Sequence, residues 1–272
     1  MMMETSDSNH LDLEAYLLRI DYSGPLDLSQ PVLEQLHLAH ATHIPFENLD
    51  ILLGRPISLD LAHVQGKLVA GRRGGYCFEQ NLLFAAVLTK LGFSVKQLAA
   101  RVRYRTTHIL PRTHMLLLVT VDETTSLVDV GFGAEGLLLP VPLVANQPVQ
   151  HYAWTYRLME GKGHWVLQSS HDAAWLDLYA FTEQEQLFAD YQMANYYTST
   201  HPDSRFVQIL TVQLPTPSSR KILHNREFVE DFGTTVTRRT LADDDELLDI
   251  LAGSFGLYFP AGTRFQYRDT VS

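Results

Sequence analysis

Apolar side chains recur at helical spacing through the first third of the chain. The pattern predicts four helices, and the fourth is apolar on almost every side, which is typical of a buried helix. Asp12 is available to cap the first helix, while Pro31 suits the first turn of the second and Pro45 ends it. The predicted helices cover residues 11–20, 29–43, 60–70 and 77–91.

From residue 94 onward the periodicity changes to that of β-strands. One further helix interrupts the strands, and a last helix follows Asp243, which is suited to cap it. The apolar stripe of that last helix consists of Leu247, Leu248, Leu251 and Phe255. The predicted strands cover 96–104, 114–121, 127–131, 152–159, 164–169, 175–181, 206–214 and 235–240, and the intervening helix covers 183–194.

The order of these elements predicts an α+β protein with several domains. A helical bundle is expected over residues 1–92, a β-barrel or sheet with an interdomain helix over 93–204, and a small α/β unit over 205–272. With 272 residues, 46% of them hydrophobic, the chain is long enough to bury one large core or two to three smaller ones.

Charge and the length of apolar runs exclude two classes of partner. The formal net charge is −10, whereas a nucleic-acid surface needs basic stripes. The longest apolar runs, such as 115–121, are too short to span a membrane. Residues 1–7 lack the basic start and apolar core of a signal peptide, and a single cysteine fits a reducing compartment. We therefore expect a cytoplasmic protein.

Cys77, the only cysteine, begins the fourth predicted helix directly after Gly74, Gly75 and Tyr76. The glycines suggest a tight backbone turn and room for a substrate to approach. A helix N-terminus offers free N–H groups and a partial positive charge, which favour a thiolate and are suited to receive an oxyanion. The alternative is a buried cysteine that acts as a small hydrophobe, the commoner role of single cysteines. The position at a helix start favours a nucleophile.

A cysteine nucleophile needs a base and a group that orients the base. His114 begins the predicted strand 114–121, and Asp129 lies among apolar neighbours in the next strand. A buried carboxylate without a partner is costly, so Asp129 needs one. The alternative is an aspartate that caps a turn. His114 and Asp129 are therefore the candidate base and the candidate orienting acid.

The strand register leaves the contact between His114 and Asp129 open. A simple hairpin that turns at Glu123 and Thr124 sets Asp129 opposite Leu118. That position lies about 13 Å along the strand from His114, at the usual rise per residue. Contact therefore requires a shifted register, a bulge or strong twist.

Several segments, in order and at familiar spacings, carry a resemblance that covers most of the first 205 residues and is looser beyond Arg205. They are Ile44-Pro45-Phe46-Glu47-Asn48-Leu49-Asp50, Arg73-Gly74-Gly75-Tyr76-Cys77 with Phe78-Glu79-Gln80-Asn81, Thr113-His114, Val128-Asp129-Val130-Gly131-Phe132-Gly133, and Asn195-Tyr196-Tyr197-Thr198-Ser199-Thr200-His201-Pro202. In these segments the chain strongly resembles the arylamine N-acetyltransferases.

The resemblance implies a papain-like triad of Cys77, His114 and Asp129, and three domains: a helical bundle, a β-barrel and an α/β lid. It implies transfer of an acetyl group from acetyl-CoA to the nitrogen or oxygen of arylamines, arylhydrazines and N-hydroxyarylamines through an acetyl-cysteine intermediate. Acetyl-CoA is then a co-substrate, with no permanently bound cofactor and no metal. A role in xenobiotic metabolism is expected, and the chain is compatible with an oligomer.

The resemblance also implies roles for residues around the triad. The expected coenzyme contacts are Thr113, Gly131, Phe132 and Gly133. The residues expected to face the acyl or acceptor pocket are Phe46 and Phe132. Arg73 is expected to be structural, tied behind the site to Glu47 or Asn48.

Three other functions remain open. An amide synthase of the same family that closes a macrolactam, and a papain-like amidase or protease, would use the same triad. A non-enzymatic binding module would not need Cys77 for its effect.

Weaker motifs point elsewhere. Residues 131–136 match G-x-G-x-x-G, yet 137–142 begin no helix, which a dinucleotide-binding fold requires, so their backbone amides are expected along the coenzyme arm. His37, His40 and His43 spread over about 120° of helix without a further ligand at metal-binding spacing, which argues against a metal site.

A solvated strand face is favoured over contact with the coenzyme phosphates for Arg220, Lys221, His224 and Arg226. Packing between domains is expected of Tyr191, Tyr196 and Tyr197.

Overall fold

A computed structural model gives the fold and describes residues 11–133, 135–171 and 174–268. Residues 1–7, considered above for a signal peptide, lie outside the described residues. The helices are α1 (Leu13–Arg19), α2 (Gln30–His43), α3 (Leu49–Leu52), α4 (Leu61–Gln65), α5 (Cys77–Leu91), α6 (Phe188–Thr200), α7 (Arg205–Gln208) and α8 (Asp244–Phe255). The strands are β1 (Phe46–Glu47), β2 (Ser94–Val102), β3 (Arg112–Val121), β4 (Thr124–Val128), β5 (Val141–Pro142), β6 (Val149–His151), β7 (Trp154–Gly161), β8 (His164–His171), β9 (Ala174–Phe181), β10 (Thr211–Pro215), β11 (Arg220–His224), β12 (Glu227–Asp231) and β13 (Val236–Thr240).

The N-terminal helices share one core with α5, as the apolar periodicity predicts. Pro31 lies in the first turn of α2, where its missing N–H costs no hydrogen bond, and Gly92 follows α5 in the left-handed conformation. The predicted helix 60–70 is present but changes after α4 into a single π-helical turn, Gly66–Ala70. None of the helices in the described ranges has the length and apolar character needed to cross a lipid bilayer. The core around α5 contains the buried residues Tyr16, Leu33, Leu36, Leu83, Phe84 and Val87.

Eight strands form an antiparallel sheet in the order β5-β4-β3-β2-β9-β8-β7-β6. A bridge between Ala145 and Leu158, together with contacts between β5 and β7, brings the two ends of the sheet together. The sheet is therefore a nearly closed barrel, and this part of the predicted fold class is confirmed.

A second sheet, in the order β1-β10-β11-β12-β13, shares a core with α8. Its first strand comes from the N-terminal part of the chain, because Phe46 pairs with Gln213 and Glu47 pairs with Val212. Leu49 belongs to the same core. The C-terminal α/β unit is thus completed by residues from the first fifty positions.

Two predicted elements have different bounds. The helix predicted over 183–194 is α6, which starts later because Asp190 accepts a hydrogen bond from the N–H of Leu187. The strand predicted over 206–214 begins only with β10, because Ser204 caps the helical turn α7 in front of it. In both places a polar cap decides the boundary that the apolar pattern misplaces.

Candidate active site

Cys77 is the first residue of α5, and 3% of its surface is exposed. Gly75 forms a β-bridge with Phe46 and neither glycine lies in a turn, so the tight turn suggested by the sequence is not what these glycines provide. A Cβ on Gly74 would clash with the carbonyl oxygen of Pro45, and one on Gly75 would lie 2.7 Å from Oε2 of Glu79. The two glycines therefore allow the start of the helix to pack closely against its neighbours.

The hairpin of β3 and β4 has a register that shortens the expected separation between the base and the acid. Its turn starts at Asp122, so Leu118 pairs with Leu127 rather than with Asp129. This shift of the register brings Asp129, which follows directly after β4, two residues nearer to His114 than the simple hairpin does.

A β-bulge at the start of β3 also shapes the site. His114 and Arg112 pair with consecutive residues of β2, so Thr113 is the extra residue between them. Its carbonyl oxygen lies 3.6 Å from Sγ of Cys77. The bulge therefore places the start of β3 against the first residue of α5.

The structure brings the three candidate side chains together. Nε2 of His114 lies 2.7 Å from Oδ2 of Asp129, which leaves Nδ1 of the ring for the thiol. The thiol of Cys77 interacts with the ring, because it contributes to the raised pKa of His114. All three residues are at least 97% buried. A thiol, an imidazole and a carboxylate in this order can act as nucleophile, base and orienting acid.

Further hydrogen bonds fix Asp129. Its Oδ1 accepts from Nδ2 of Asn81 and from the N–H of Gly131, each at 2.9 Å. The backbone N–H of Asp129 donates to Nε2 of His37 at 3.3 Å, and the N–H of Val130 donates to Oδ1 of Asn81. Asp129 therefore stabilises its own turn as well as the histidine, so both roles considered from the sequence are present.

Asn81 had no role predicted from the sequence. One signal was present, because Glu79, Gln80 and Asn81 are consecutive polar residues in a helix that is otherwise apolar on almost every side. All three are buried. Glu79 accepts from the backbone N–H of Tyr76, and Gln80 donates to the carbonyl of Pro45, so each secures a different neighbour of the helix start.

The buried groups have shifted pKa values. Burial disfavours a charge on His114, but the charges and hydrogen bonds of Asp129 and Cys77 outweigh burial and raise the pKa of His114 to about 10. Burial likewise opposes a charge on Asp129, yet the imidazole holds the pKa of its carboxyl below the usual value. Burial dominates at His37 and lowers its pKa to about 4, so this ring stays neutral and accepts the N–H of Asp129.

Cys77 and His114 line a cavity of about 360 Å³. Gly133 is not part of its wall but packs behind it, where a Cβ would lie 3.1 Å from the ring of Phe46. The other residues expected at the coenzyme or in the pocket do line the cavity: Phe46, Thr113, Gly131 and Phe132.

Arg73 is held behind the site by two carboxylates. Its Nη2 lies 2.6 Å from Oε1 of Glu47, and its Nη1 lies 3.2 Å from Oδ1 of Asp50. The other expected partner, Asn48, instead donates to the carbonyl oxygens of Phe206 in α7 and of Ile209 directly after it. Arg73 thus contacts one of its two expected partners.

The three histidines of α2 have separate surroundings. His37 bonds to the candidate site, His40 lies between the hydroxyl of Tyr16 and Oε1 of Gln80, and His43 is exposed. Across the residues that the structure describes, no three His, Cys, Asp or Glu side chains are arranged to hold a metal ion.

The solvated strand face expected around Arg220 is wrong for that residue. Arg220 is 3% exposed, and its guanidinium contacts the hydroxyl of Tyr156, the carbonyl of Gly136 and the ring of Trp154. His224 lines the cavity. These two residues of β11 therefore face inward.

The G-x-G-x-x-G match and the three tyrosines are also located. The described residues 135–140 contain no helix, in agreement with the argument against a dinucleotide-binding fold.

Tyr191 is buried and donates to the carbonyl of Leu98, whereas Tyr196 is 72% exposed, so interdomain packing is wrong for Tyr196. Tyr197 lines the cavity.

Residues 29–263 match the family model described as N-acetyltransferase. The arylamine N-acetyltransferase of Escherichia coli (strain K12) is 41% identical over 248 residues, which cover 90% of this chain and 88% of that protein. A Salmonella typhimurium protein named arylamine N-acetyltransferase / N-hydroxyarylamine O-acetyltransferase is 39% identical over 249 residues, covering 90% of this chain and 88% of that protein. The structure of Mycobacterium marinum arylamine N-acetyltransferase in complex with CoA has a TM-score of 0.87 at 35% identity, covering 90% of this chain and 93% of that chain.

The fold and the family match define an acyltransferase. Since the similarity extends over nine tenths of the sequence, the chain belongs to the arylamine N-acetyltransferase family.

Proposed function

We propose that the protein transfers an acetyl group from acetyl-CoA to the nitrogen or oxygen of arylamines, arylhydrazines and N-hydroxyarylamines through an acetyl-cysteine at Cys77. The observation that carries the proposal is the contact of Cys77, His114 and Asp129 beside a cavity of about 360 Å³. The names of the relatives and the CoA complex of a similar structure support acetyl-CoA as co-substrate and aromatic amines as acceptors.

In the first half-reaction the thiolate of Cys77 attacks the carbonyl carbon of the thioester. The bond from that carbon to the sulfur of the coenzyme breaks, and the leaving thiolate takes the proton from the imidazolium of His114. Acetyl-Cys77 and free coenzyme A result. One thioester replaces another, so the step is nearly balanced in energy and the intermediate stays reactive.

In the second half-reaction the acceptor amine attacks the acetyl carbon, and the bond from that carbon to Sγ of Cys77 breaks. Neutral His114 takes the proton from the nitrogen, and Asp129 stabilises the imidazolium that forms. The products are the acetylated amine and the original ion pair of thiolate and imidazolium. The double displacement therefore needs one site for two substrates in turn.

The wall of the cavity supports this use. Thr113, Gly131 and Phe132 lie beside the thiol and are proposed to contact the arm of the coenzyme. Gly133 contributes by allowing Phe46 to pack closely. We place the reaction in the cytoplasm, whose reducing conditions keep a single cysteine as a thiol.

Intact mass spectrometry tests the intermediate. Protein mixed with acetyl-CoA and no acceptor should gain the mass of one acetyl group, mapped to Cys77, and lose it when an arylamine or arylhydrazine is added. Cys77→Ala is the matched control and should gain nothing. Mass on a lysine, or no gain by the folded protein, contradicts the acetyl-cysteine.

The same experiment separates the other candidate functions. An amide synthase of this family would form an acyl-cysteine with another donor yet leave a free arylamine unacetylated, and an amidase would release acetate without an amine. A binding module would keep its cellular effect in the Cys77→Ala variant.

A further inference from the structure

The side chain of the residue before Cys77 is hydrogen-bonded to α6. Tyr76 is completely buried, and its hydroxyl donates to Oδ1 of Asn195, which lies 119 positions later in the chain. Burial, together with the charges of Glu79 and Cys77, holds the pKa of Tyr76 well above its usual value. The hydroxyl therefore keeps its proton at neutral pH and remains a donor.

The amide of Asn195 can face Tyr76 in only one orientation. Its Nδ2 donates to the carbonyl oxygen of Ile57 at 3.0 Å, and a carbonyl oxygen can only accept. The amide oxygen is therefore the atom that is turned toward Tyr76. Because Asn195 is only 8% exposed, loss of the tyrosine hydroxyl would leave this oxygen buried without its donor.

The backbone of Tyr76 is held as well, at the point where α5 begins. Its N–H donates to Oε2 of Glu79 at 3.1 Å, and its carbonyl accepts from the N–H of Gln80 at 3.0 Å. These two bonds fix the main chain before Cys77, while Asn195 fixes the far end of the side chain. Tyr76 is therefore anchored at both ends, and Cys77 is the next residue.

Helix α6 also forms part of the wall of the catalytic cavity. Tyr197 and Thr198 line this cavity, and Asn195 lies only two and three positions before them. The ring of Tyr76 packs edge-on against that of Phe206, 5.7 Å away between centroids, and Phe206 lines the same cavity. The hydrogen bond from Tyr76 to Asn195 therefore joins the start of α5 to the wall against which the acyl donor must lie.

We infer that Asn195 is a positioning residue, which acts through the hydroxyl of Tyr76 to hold Cys77 in the orientation from which its thiol attacks the acyl carbon. The inference rests on the proposed function, because it concerns the nucleophile of that reaction. Acyl transfer requires that the sulfur and the free N–H groups of the helix start be aligned with one carbonyl group. Alkylation by iodoacetamide forms no oxyanion, so it depends less on this alignment.

The test removes the hydroxyl with Tyr76→Phe and compares two reactions of Cys77. One is acylation by p-nitrophenyl acetate, followed in a single turnover as release of p-nitrophenolate, and the other is alkylation by iodoacetamide. The ratio of the two second-order rate constants should fall about tenfold, because a small displacement of a nucleophile slows acyl transfer strongly. Both rates are measured well below the unfolding temperature of the variant, so that all molecules are folded. An unchanged ratio overturns the positioning role.

A double variant separates positioning from stability. Tyr76→Phe alone should lower the melting temperature, because Oδ1 of Asn195 loses its donor. Tyr76→Phe/Asn195→Leu replaces both partners by apolar groups of similar shape, which should restore most of the loss. Ile57 lines a separate cavity of about 800 Å³, so water can reach the carbonyl that Asn195 no longer contacts. The ratio should stay low in the double variant, whereas its return to the wild-type value would show that the hydrogen bond only stabilises the fold.

Tyr191→Phe is the matched control for Tyr76→Phe. Tyr191 is also a buried tyrosine, it belongs to α6 itself, and its hydroxyl donates to the carbonyl of Leu98 at 3.0 Å. Loss of this hydroxyl should lower the melting temperature and leave the ratio at its wild-type value. A fall as large as that in Tyr76→Phe would mean that any loosening of α6 slows acylation, which contradicts a specific role of Asn195.

A parallel measurement separates this inference from the proposed function. The ratio is obtained without acetyl-CoA and without an arylamine, so it does not depend on the proposed substrates. If acetyl-CoA leaves the wild type unacetylated while the ratio falls in Tyr76→Phe, the proposed function fails and the positioning role holds. Acetylation by acetyl-CoA together with an unchanged ratio gives the reverse conclusion.

Discussion

The two carboxylate oxygens of Asp129 have different partners. Oδ1 accepts from Asn81 and from the N–H of Gly131, while Oδ2 contacts Nε2 of His114. Because both donors to Oδ1 are fixed, the orientation of the carboxylate is fixed as well. The histidine therefore meets a single oxygen of a fully buried carboxylate.

Asp129→Asn should nearly abolish turnover. Oδ1 keeps its two donors, so the new amide nitrogen takes the place of Oδ2 and donates to Nε2 of His114. The ring then carries its proton on Nδ1, facing Cys77, and cannot take the thiol proton. We expect kcat/KM to fall at least a hundredfold, which is about 2.7 kcal/mol.

The half-buried Asp177→Asn, outside the cavity, is the control for Asp129→Asn. Steady-state kinetics with acetyl-CoA and an arylamine measure both variants. A loss of less than about tenfold, or ~1.4 kcal/mol, would mean that Asp129 only positions the ring.

The rate of Cys77 alkylation should depend on the charge of His114. Burial opposes that charge, but Asp129 and Cys77 raise the pKa of His114 to about 10, which keeps the ring protonated through neutral pH. A cation beside the thiol attracts the developing charge on sulfur. Near neutral pH we expect iodoacetamide to label Cys77 faster in the wild type than in His114→Ala.

His114→Ala should slow that labelling at a fixed pH, because the neighbouring cation is lost. Because Cys77 is the only thiol, the labelling rate reports this site alone. Acetyl-CoA should suppress it in the wild type. A labelling rate that is the same in the wild type and in His114→Ala would show a structural cysteine.

At the scale of elements, the periodicity of the sequence predicts the long helices and strands. It does not predict where a turn starts, and the turn sets the register of the paired strands. Helix α5 and strand β3 have long, regular patterns and are found where expected. The β3–β4 turn lies among polar residues, so the pattern does not show that it starts at Asp122, with a φ of 51°. That one position determines how far Asp129 lies from His114.

Two further parts of the site lie beyond the reach of sequence patterns. Strand β1 has two residues, too short to show a period, and pairs with a strand more than 160 positions later. Asn81 has its role because Asp129 and Val130, directly after β4, lie against α5 and form hydrogen bonds with its side chain. The domain boundaries at 92 and 204 stay a prediction.

The packing of α5 against the loop after β4 leads to a test with two glycines. A Cβ on Gly131 would lie 2.9 Å from Cα of Cys77 and 2.9 Å from Nδ2 of Asn81. Gly131→Ala should therefore force the helix start and the loop apart, at a cost of about 1–3 kcal/mol, and slow acetylation.

Gly253→Ala is the matched control for Gly131→Ala. It lies inside α8 with no atom within 4 Å of its added Cβ, so it should stabilise the protein by about 0.5–1 kcal/mol and leave activity unchanged. Thermal unfolding and steady-state rates measure both. Equal stability of the two variants would contradict the close approach at Gly131.

At the scale of the whole molecule, the candidate site draws on all three cores. Cys77 comes from the helical core, His114 from the barrel, and His224 from the second sheet. Asn48 contacts the second sheet, because its Oδ1 accepts from the N–H of Thr211 in β10. The geometry of the cavity therefore depends on the stability of the whole chain.

That stability should depend on pH through three buried, neutral histidines. Burial lowers the pKa of His37 to about 4, and those of His40 and His151 to about 3. An unfolded histidine titrates near 6.5, so below that pH the unfolded chain binds protons that the folded chain does not. The contribution of these three histidines to the free energy of unfolding is complete above about pH 6.5. It is lost as the pH falls toward the folded pKa values of about 4 and about 3.

His114 stabilises the folded protein at low pH rather than at high pH. Its folded pKa of about 10 lies above the unfolded value, so its contribution is complete below about pH 6.5 and is lost as the pH rises toward 10. Stability should therefore be highest near the unfolded value of about 6.5, with a steep acid side.

Urea unfolding at a series of pH values between about 7.5 and 4.5 measures this dependence. Each buried histidine adds up to ~1.4 kcal/mol per pH unit, so three give a slope of about 4 kcal/mol per unit in the middle of the window. His151→Asn should reduce the slope by about 1.4 kcal/mol per pH unit, because one of the three buried histidines is removed. His108→Asn, which changes an exposed histidine, should leave the slope unchanged. A free energy of unfolding that stays constant between about pH 7 and 5 would mean that these rings bind protons in the folded protein as readily as in the unfolded chain, which their burial opposes.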